Sequence, residues 1–270
     1  MVAVAVAAAV IAVAAALILF AIWPSGSARV RRAEFPHRLF AHRGLYDKDQ
    51  TVPENSLPAF ERACAAGYGI ELDVQLTRDG HVVVFHDDDL KRVCGVDRRV
   101  DGTDLSELRS MRLYESGETA PLFADLLALV GGRVPLLVEL KTGKRNGELC
   151  DKVIAMLKDY GGEYCVESFD PRIIARFRKD APEVYRGVLS QPPKVFKSFG
   201  FSSAVSLLLG WCMLNFLARP DFIAYRVGRK PAIIRLQNKL GAADFGWTVT
   251  EPEQRNGLDA AIFEHFVPKG

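Results

Sequence analysis

The chain has 270 residues, of which 49% are hydrophobic and 25% are charged. This length suits one large α/β domain or two small ones, and the hydrophobic content is sufficient for a sizeable core. The net charge of only +2 at pH 7 gives no sign of the clustered basic face that nucleic-acid binding requires, so we expect no nucleic-acid partner. Nothing in the composition predicts a protein partner either.

The N-terminus differs from the rest of the chain. The stretch from Val2 to Trp23 is uncharged and rich in Ala, Val, Ile and Leu, and about 20 such residues span a bilayer as a helix. A secretory signal peptide would begin with basic residues and carry a shorter apolar region, whereas a helix of a soluble domain would show a polar face. We therefore expect residues 1–23 to be a single transmembrane anchor.

A linker over residues 24–36 follows the anchor and is rich in small and basic residues. Arg29, Arg31 and Arg32 lie just beyond the apolar stretch, and no Lys or Arg precedes it. Positive residues mark the cytoplasmic side of a membrane helix. The sequence thus predicts a single-pass protein of the cell membrane whose main domain, residues 37–270, lies in the cytoplasm.

After the linker, strand-like and helix-like segments alternate. Eight apolar runs predict strands, over residues 39–42, 69–74, 82–86, 135–140, 163–168, 185–189, 221–225 and 243–248. Periodic patterns predict helices, over residues 56–66, 121–130, 147–159, 171–179, 197–217 and 230–240. Strands that alternate with helices form parallel βαβ units, and eight of them match a closed (β/α)₈ TIM barrel of the α/β class. A ninth apolar run, over residues 261–266, has no place in this scheme.

Two segments between these elements have features of their own. Asn55 is placed to cap the helix predicted over residues 56–66, and Pro58 fits in its first turn, where a missing N–H costs nothing. Between His86 and Glu139 lie 52 residues, which exceed the length of a simple helical crossover. We therefore expect residues 88–118 to be an insertion over one end of the barrel.

Four of the apolar runs end in polar chemistry. Glu71 and Asp73 are two apart in one predicted strand, so both side chains point to the same face. Two carboxylates that face together repel each other unless a cation lies between them. The C-terminal ends of barrel strands gather at one mouth, where active sites are built. The other three runs end in His42-Arg43, His86-Asp87 and Glu139-Leu140-Lys141.

These residue types suit phosphoryl transfer assisted by a metal ion. The carboxylates of Glu71, Asp73 and Glu139 are hard oxygen ligands, which prefer Ca²⁺, Mg²⁺ or Mn²⁺. Histidine exchanges protons near neutral pH, and Arg and Lys bind phosphate. Each of these residues, taken singly, is more often an ordinary structural or solvated group. Their repetition at adjacent strand ends favours one shared site.

Several motifs, in the same order and at similar spacing, resemble those of the glycerophosphodiester phosphodiesterase family. The resemblance covers about residues 38–257, and the combined set is specific, although His-Arg-Gly alone would be weak. The main motifs are His42-Arg43-Gly44, Pro53-Glu54-Asn55-Ser56, Glu71-Leu72-Asp73-Val74, Phe85-His86-Asp87 and Val138-Glu139-Leu140-Lys141. Two later strand motifs are also similar, Ser168-Phe169 and Gly246-Trp247-Thr248-Val249.

The resemblance implies a (β/α)₈ barrel that hydrolyses phosphodiesters with one divalent ion. By analogy, His42 and His86 are the general base and the general acid, in an order that the sequence leaves open. In this family a hydroxyl of the substrate can attack first, giving a cyclic phosphate that water then opens. The ion is expected on Glu71, Asp73 and Glu139, and the substrate phosphate on Arg43 and Lys141. Four further residues are expected to support these groups, or in one case to ligate the ion: Glu54, Asn55, Ser168 and Trp247.

The function predicted from the sequence is therefore a membrane-anchored, metal-dependent phosphodiesterase. Its substrates would be glycerophosphodiesters or lysophospholipid-like lipids, and its products an alcohol plus glycerol 3-phosphate or lysophosphatidate. One alternative is a lyase of the phosphoinositide phospholipase type, which would stop at the cyclic phosphate. Another is an inactive membrane-bound scaffold or lipid sensor, but a sensor needs no second histidine.

The predicted helix over residues 197–217 is unusually apolar and carries no charge from Phe199 to Leu217. An ordinary barrel helix has a polar outer face. A second membrane span would separate this helix from the next strand of the same sheet. The remaining interpretations are a buried crossover helix and a helix that lies on the bilayer surface beside the mouth. We favour the second, with Lys194, Lys197 and Arg219 at its ends.

Overall fold

The computed structural model describes residues 1–28, residue 33 and residues 39–268. Arg29, Arg31 and Arg32, on which the predicted orientation in the membrane depends, lie outside the described residues.

Eight parallel strands close into a ring, which confirms the predicted TIM barrel. The order around the ring is β1, β2, β4, β5, β6, β7, β8 and β9, and β9 pairs with β1 to close it. The strands of the described residues are β1 Leu39–Ala41, β2 Gly69–Leu76, β3 Val82–Val84, β4 Leu136–Leu140, β5 Tyr164–Ser168, β6 Tyr185–Ser190, β7 Phe222–Arg226, β8 Ala243–Val249 and β9 Ala260–Phe263.

The set of strands that forms the ring differs in one strand from the set predicted from the sequence. The strand predicted over residues 82–86 is β3, which pairs antiparallel with β2 outside the ring. The physical reason is the connection, because five residues between Leu76 and Val82 allow a hairpin but not the dozen or more that a parallel crossover needs. The eighth barrel strand is instead β9, from the run that had no place in the scheme.

The helices of the described residues begin with the apolar α1 and continue around the barrel. Side chains between the helices and the strands form the larger core, and a second core of inward-facing residues fills the barrel itself. The helices are α1 Val2–Ile22, α2 Leu57–Ala66, α3 Lys91–Cys94, α4 Leu105–Leu108, α5 Phe123–Val130, α6 Asn146–Lys158, α7 Pro171–Asp180, α8 Pro193–Ser198, α9 Ser203–Gly210, α10 Asn215–Ala218 and α11 Ala232–Leu240.

The first helix, α1, is the one helix within residues 1–28 and 39–268 that is long and apolar enough to cross a membrane. Its apolar stretch is not buried against the domain, and Ile22 at its end is its only buried residue. A core helix of a soluble protein would be covered by other side chains. Length and composition are also compatible with a signal sequence.

The helix predicted over residues 56–66 is α2, but its cap differs from the prediction. Ser56 is the N-cap and accepts a hydrogen bond from the Ala59 N–H, with Pro58 in the first turn as expected. Asn55 does not cap the helix, because its backbone has a positive φ of 53° and its amide group donates to Asp73 at 2.9 Å. The chain therefore uses Asn55 to hold a site residue rather than to begin α2.

The segment predicted as one helix over residues 197–217 is divided into α8, α9 and α10. Gly200 has a φ of 88°, and Cys212 has a φ of 52°, so the backbone leaves the helical region at both junctions. The segment connects β6 to β7 and keeps many apolar side chains exposed.

Residues 88–118 contain α3, a 3₁₀ turn at Val100–Gly102, and α4. They have a small apolar core of their own that packs on Val83 and Phe85. Because this unit sits on β3 beside the mouth, α3 carries Arg92 to within contact of Glu54 and Asp87.

Candidate active site

Charged side chains collect at the C-terminal mouth of the barrel, in a layer above the apolar barrel core. Inward-facing residues alternate along each strand. Asp73, Glu139 and Glu167 are register partners on the neighbouring strands β2, β4 and β5, so they stand at one level. Glu71 lies two residues before Asp73, which places it on the same inward face.

Glu71, Asp73 and Glu139 form what we call the acidic cluster. Each residue offers a carboxylate oxygen, and these oxygens lie within 4.8 Å of one another. All three residues are buried. The predicted ligand set is therefore brought together by the fold.

The pKa values of the three carboxyl groups are shifted in different directions. Burial raises the pKa of Glu71, and the negative charges of Asp73 and Glu139 raise it further. Burial also raises the pKa of Glu139, which Lys141 only partly offsets. Burial opposes the ionisation of Asp73 as well, but Lys141, His86 and Arg43 outweigh it and lower the pKa of Asp73.

This donor set fits a hard divalent cation. Burial and the negative charge of the neighbouring carboxylates raise the pKa of Glu71 and that of Glu139, because no other charge at the site balances them fully. Ca²⁺, Mg²⁺ and Mn²⁺ prefer oxygen ligands of this kind. Glu71, Asp73 and Glu139 would hold the ion.

Two cationic side chains border the acidic cluster. The Lys141 ammonium lies 2.9 Å from Glu139 Oε1 and 3.4 Å from Asp73 Oδ1. The Arg43 guanidinium lies 2.8 Å from Glu54 Oε1 and 3.6 Å from Asp73 Oδ2. Both side chains also line the cavity at the mouth, so each offers positive charge to a bound anion.

The turn after β1 places Arg43. Its backbone has a positive φ of 55°, and its N–H donates to Glu71 Oε2 at 2.9 Å. Gly44 follows with a φ of 83°, and a Cβ there would lie 2.9 Å from Ala59 on α2. The close approach of this turn to α2 therefore requires glycine.

His42 is oriented by a carboxylate from the other end of the chain. Its Nδ1 lies 2.7 Å from Glu264 Oε2, and its Nε2 lies 3.9 Å from Glu71 Oε2. Burial lowers the pKa of His42, with Arg43 acting in the same direction. Burial raises the pKa of Glu264, but the hydrogen bond and the charge of His42 outweigh it and lower that pKa to about 2. Glu264 is therefore ionised and accepts the Nδ1–H, which leaves Nε2 of His42 as a proton acceptor.

His86 is oriented in the same way by its neighbour. Its Nδ1 lies 2.6 Å from Asp87 Oδ1. The Arg92 guanidinium binds the same carboxylate at 2.7 Å and 2.9 Å. The arrangement points the remaining ring nitrogen of His86 away from Asp87. Each histidine thus has one nitrogen held by a carboxylate.

The four supporting residues predicted from the sequence have different surroundings. Glu54 binds Arg43 and Arg92 and is not part of the acidic cluster. Asn55 donates to Asp73. The Ser168 hydroxyl donates to the Leu140 carbonyl. Trp247 donates to the Ala224 carbonyl and lines the cavity.

Sequence reasoning missed four residues of the site. The sequence assigns no role of its own to Asp87 beside His86, and Arg92 lies in the predicted insertion. Glu264 lies within the run over residues 261–266 and directly follows the end of β9, so recognising that run as the eighth strand would have revealed it. Glu167 lies between Val166 and Ser168 in β5, where an isolated acidic residue inside a strand is the available signal.

Glu167 has no hydrogen-bond partner for its buried Oε2 and faces the cavity. Burial raises its pKa well above the usual value, and Glu139 and Asp73 raise it further. Its raised pKa favours the protonated form of this carboxyl group next to the acidic cluster.

The cavity at the mouth has a volume of about 1090 Å³ and two chemically distinct sides. One side carries the histidines and charged groups described above. The other is apolar and extends onto α8, α9 and α10. The apolar side is formed by Phe169, Leu189, Phe196, Phe199, Phe201, Val205, Leu209, Leu214, Leu217, Trp247 and Ile262.

Comparison with known proteins identifies one family. The model of the glycerophosphoryl diester phosphodiesterase family matches residues 42–264. A glycerophosphodiester phosphodiesterase from Caldanaerobacter subterraneus subsp. tengcongensis is 30% identical over 240 residues, which cover 83% of this chain and 92% of that protein. A probable glycerophosphodiester phosphodiesterase 1 from Mycobacterium tuberculosis is 29% identical over 238 residues, which cover 79% of this chain and 82% of that protein.

Solved structures share the fold at lower identity. An Oleispira antarctica phosphodiesterase in complex with the product sn-glycerol-3-phosphate superposes with a TM-score of 0.70 at 22% identity, covering 86% of this chain and 94% of that one. A glycerophosphodiester phosphodiesterase from Thermotoga maritima superposes with a TM-score of 0.63 at 24% identity, covering 84% of this chain and 94% of that one.

Proposed function

The chain belongs to the glycerophosphoryl diester phosphodiesterase family, and we propose that His42 and His86 catalyse its reaction beside a divalent ion. The protein is a phosphoric diester hydrolase. The observation that carries the proposal is the pair of histidines, each held by a carboxylate, beside the acidic cluster in one cavity.

His42 acts as the general base. Its lowered pKa favours the neutral ring, and the hydrogen bond to Glu264 leaves Nε2 free to accept a proton. It takes a proton from the attacking hydroxyl, whose oxygen then forms a bond to phosphorus. A base with the correct protonation state at neutral pH contributes roughly 10²–10⁴-fold to such a step.

His86 acts as the general acid on the leaving group. As the bond between phosphorus and the alcohol oxygen breaks, His86 donates its proton to that oxygen and the alcohol departs. When water attacks, the second product is glycerol 3-phosphate. When the hydroxyl on the second carbon of glycerol attacks, the product is a cyclic phosphate, and water opens it in a second step in which the two histidines exchange roles.

The other charged residues bind the phosphate and the ion. Arg43 and Lys141 line the cavity, and their positive charges hold the phosphate oxygens between the histidines. Glu71, Asp73 and Glu139 would hold the ion, which would polarise a phosphoryl oxygen and balance developing charge. Glu54 keeps Arg43 in position, since it binds the same guanidinium at 2.8 Å.

The substrate class follows from the two sides of the cavity. Phosphodiesters of glycerol suit the charged side, and the apolar side has room for one alkyl chain of a lysophospholipid. We therefore infer that lysophospholipids compete well with water-soluble glycerophosphodiesters. The products from a lysophospholipid would be an alcohol and lysophosphatidate.

The experiment incubates the purified full-length protein in detergent with glycerophosphocholine and lysophosphatidylcholine, together and separately. Ca²⁺, Mg²⁺ and Mn²⁺ are added one at a time, and the products are identified by mass spectrometry. Free choline with glycerol 3-phosphate or lysophosphatidate supports the proposal. Accumulation of a cyclic phosphate as the final product would identify a lyase, and binding of the substrates without turnover would identify a scaffold.

We also propose that α1 anchors the protein in the cell membrane by a single span, with the barrel in the cytoplasm. The support is the exposed apolar surface of α1 together with the three arginines that follow it in the sequence. Protease added outside intact cells should leave the barrel uncut. A mature N-terminus beyond residue 23 would identify α1 as a cleaved signal sequence.

A further inference from the structure

A group of large apolar side chains on α9, on α10 and on the turns that follow α8 and α9 is exposed to solvent. We call this group the apolar rim. Phe199 is 70% exposed and is the most exposed member. Large apolar residues that are exposed together mark a surface that contacts another apolar phase or molecule. The members of the apolar rim are Phe199, Phe201, Val205, Leu207, Leu208, Trp211 and Leu217.

The end of α1 is attached beside this surface. The rings of Phe20 and Phe216 stack with their centroids 5.8 Å apart. The Arg219 guanidinium donates to the carbonyls of Phe20 at 3.1 Å and Trp23 at 2.9 Å, which satisfies acceptors that the end of a helix leaves open. The Ser25 N–H donates to the Pro220 carbonyl at 2.9 Å. The connection between α1 and α10 is therefore defined by several contacts.

These contacts fix how deep α10 lies if α1 crosses a bilayer. Tryptophan prefers the interface between lipid and water, and Trp23 directly follows α1. Phe20 is three residues earlier, about 4.5 Å deeper along the helix axis. Phe216 stacks on Phe20 and so lies at a similar depth. Helices that bind to membrane surfaces are buried by about 5–10 Å, which includes this depth.

We propose that the apolar rim is seated in one leaflet of the same bilayer that α1 spans. The occupant of the surface is thus lipid, and α10 is the point where the barrel enters the leaflet. Because α10 contacts the end of α1, the proposed membrane anchor, lipid is favoured over a protein partner as the occupant.

The charges around the apolar rim suit this position. Lys194 and Lys197 are exposed on α8, and Arg219 follows α10. No Asp or Glu occurs from Lys194 to Arg219, all of which the structure describes. Basic residues at the edge of an apolar face bind anionic headgroups and allow the apolar face to enter the lipid.

A rim that lies in the leaflet also affects how substrate reaches the site, an inference that rests on the proposed function. Phe199, Phe201, Val205 and Leu217 belong both to the apolar rim and to the wall of the cavity. A surface seated in the leaflet would therefore open the cavity sideways to lipid. The alkyl chain of a lysophospholipid could stay in apolar surroundings while its phosphate reaches His42.

Tryptophan fluorescence tests the seating without relying on turnover. In full-length protein with Trp23→Phe and Trp247→Phe, Trp211 is the remaining tryptophan. The protein is reconstituted in phosphatidylcholine vesicles, with or without lipid brominated near the headgroup end of its chains. Bromine quenches a nearby indole, so we expect strong quenching of Trp211. Phe201→Trp with Trp211→Phe in the same background provides a second probe and should be quenched as well.

A matched control places the tryptophan across the barrel. Ala65 is exposed on α2, which connects β1 to β2, and these strands lie opposite β6 and β7 in the ring. With Trp211→Phe, the variant Ala65→Trp should show little quenching. Equal quenching of the rim probes and of this control would overturn the proposal, as would unquenched rim probes covered by a second copy of the chain.

A kinetic comparison separates this proposal from the proposed function. Leu208→Glu with Trp211→Glu should reduce hydrolysis of lysophosphatidylcholine in vesicles and spare soluble glycerophosphocholine, whereas Ala65→Glu should affect neither. Equal loss on both substrates would mean that the segment is part of the folded core. Quenching without any hydrolysis by the wild type would leave the seating in place and refute the proposed function.

Discussion

The substitution Glu264→Gln tests how His42 works. Gln keeps an acceptor for the His42 N–H but removes the negative charge that faces it at 2.7 Å. The lowering of the Glu264 pKa from 4.5 to about 2 corresponds to about 3.4 kcal/mol of preference for the ionised carboxylate. Since the carboxylate is partly exposed, solvent screens this interaction and reduces its energy to about half, about 1.7 kcal/mol. The expected loss in kcat is therefore about 20-fold.

The pH dependence of the activity is a second, independent test of the role of Glu264. The Glu264 carboxylate raises the pKa of His42, against the lowering by burial. Removing its charge therefore lowers the pKa of His42 further. If His42 is the base, activity requires its neutral form, so the acid limb of the kcat/KM profile should move to lower pH.

The assay measures kcat and KM for glycerophosphocholine across the pH range at saturating metal ion. We expect a lower kcat, a similar KM and the shifted acid limb. Tyr46→Phe is the control, because it removes the hydrogen bond at 2.9 Å from the Tyr46 hydroxyl to Glu264 but keeps the charge. An unchanged rate, or an acid limb that moves to higher pH, would contradict this role of Glu264.

Three further predictions concern the acidic cluster. Chelation should lower the melting temperature of the detergent-solubilised protein by about 5–10 °C relative to saturating ion, because an ion at about 100 times its Kd stabilises the fold by about 2.7 kcal/mol. An unchanged melting temperature would argue against a bound ion. Ca²⁺ affinity measured by calorimetry should fall as pH falls, because the pKa of Glu71 and that of Glu139 are raised and the ion must displace protons; a pH-independent affinity would contradict this. Glu139→Gln should weaken Ca²⁺ binding by roughly 10–100-fold or more, whereas Glu167→Gln should change it by less than about tenfold because Glu167 lies outside the acidic cluster; equal losses would make Glu167 a ligand.

The sequence was sufficient for the features that depend on local spacing. The i, i+2 pattern of Glu71 and Asp73 predicts two inward carboxylates on β2, and the structure places them in one cluster with Glu139. Alternating strand and helix patterns predicted the barrel, although they assigned residues 82–86 to its ring in place of β9. His86 was expected at a barrel strand end, yet it comes from the antiparallel β3. It still reaches the site, because β2 extends past the barrel and β3 folds back along it until the Phe85 N–H donates to the Asp73 carbonyl at 3.0 Å.

The features that the sequence did not supply depend on contacts between distant residues. His42 and Glu264 are 222 residues apart, and only the closure of the ring by β9 brings them together. Arg92 reaches Glu54 across 38 residues, through the path of the 88–118 segment. No spacing rule predicts such pairs, since they follow from the register of strands and from the course of a loop.

The most direct test of the central claim is a comparison of the wild type with His42→Ala and His86→Ala on glycerophosphocholine. The full-length protein is assayed with Ca²⁺, Mg²⁺ or Mn²⁺ and again after exhaustive chelation, and choline and glycerol 3-phosphate are quantified. We expect metal-dependent release of both products, and a loss of roughly 10²–10⁴-fold in kcat for each variant. Full activity after chelation, or near-wild-type rates in both histidine variants, would contradict it.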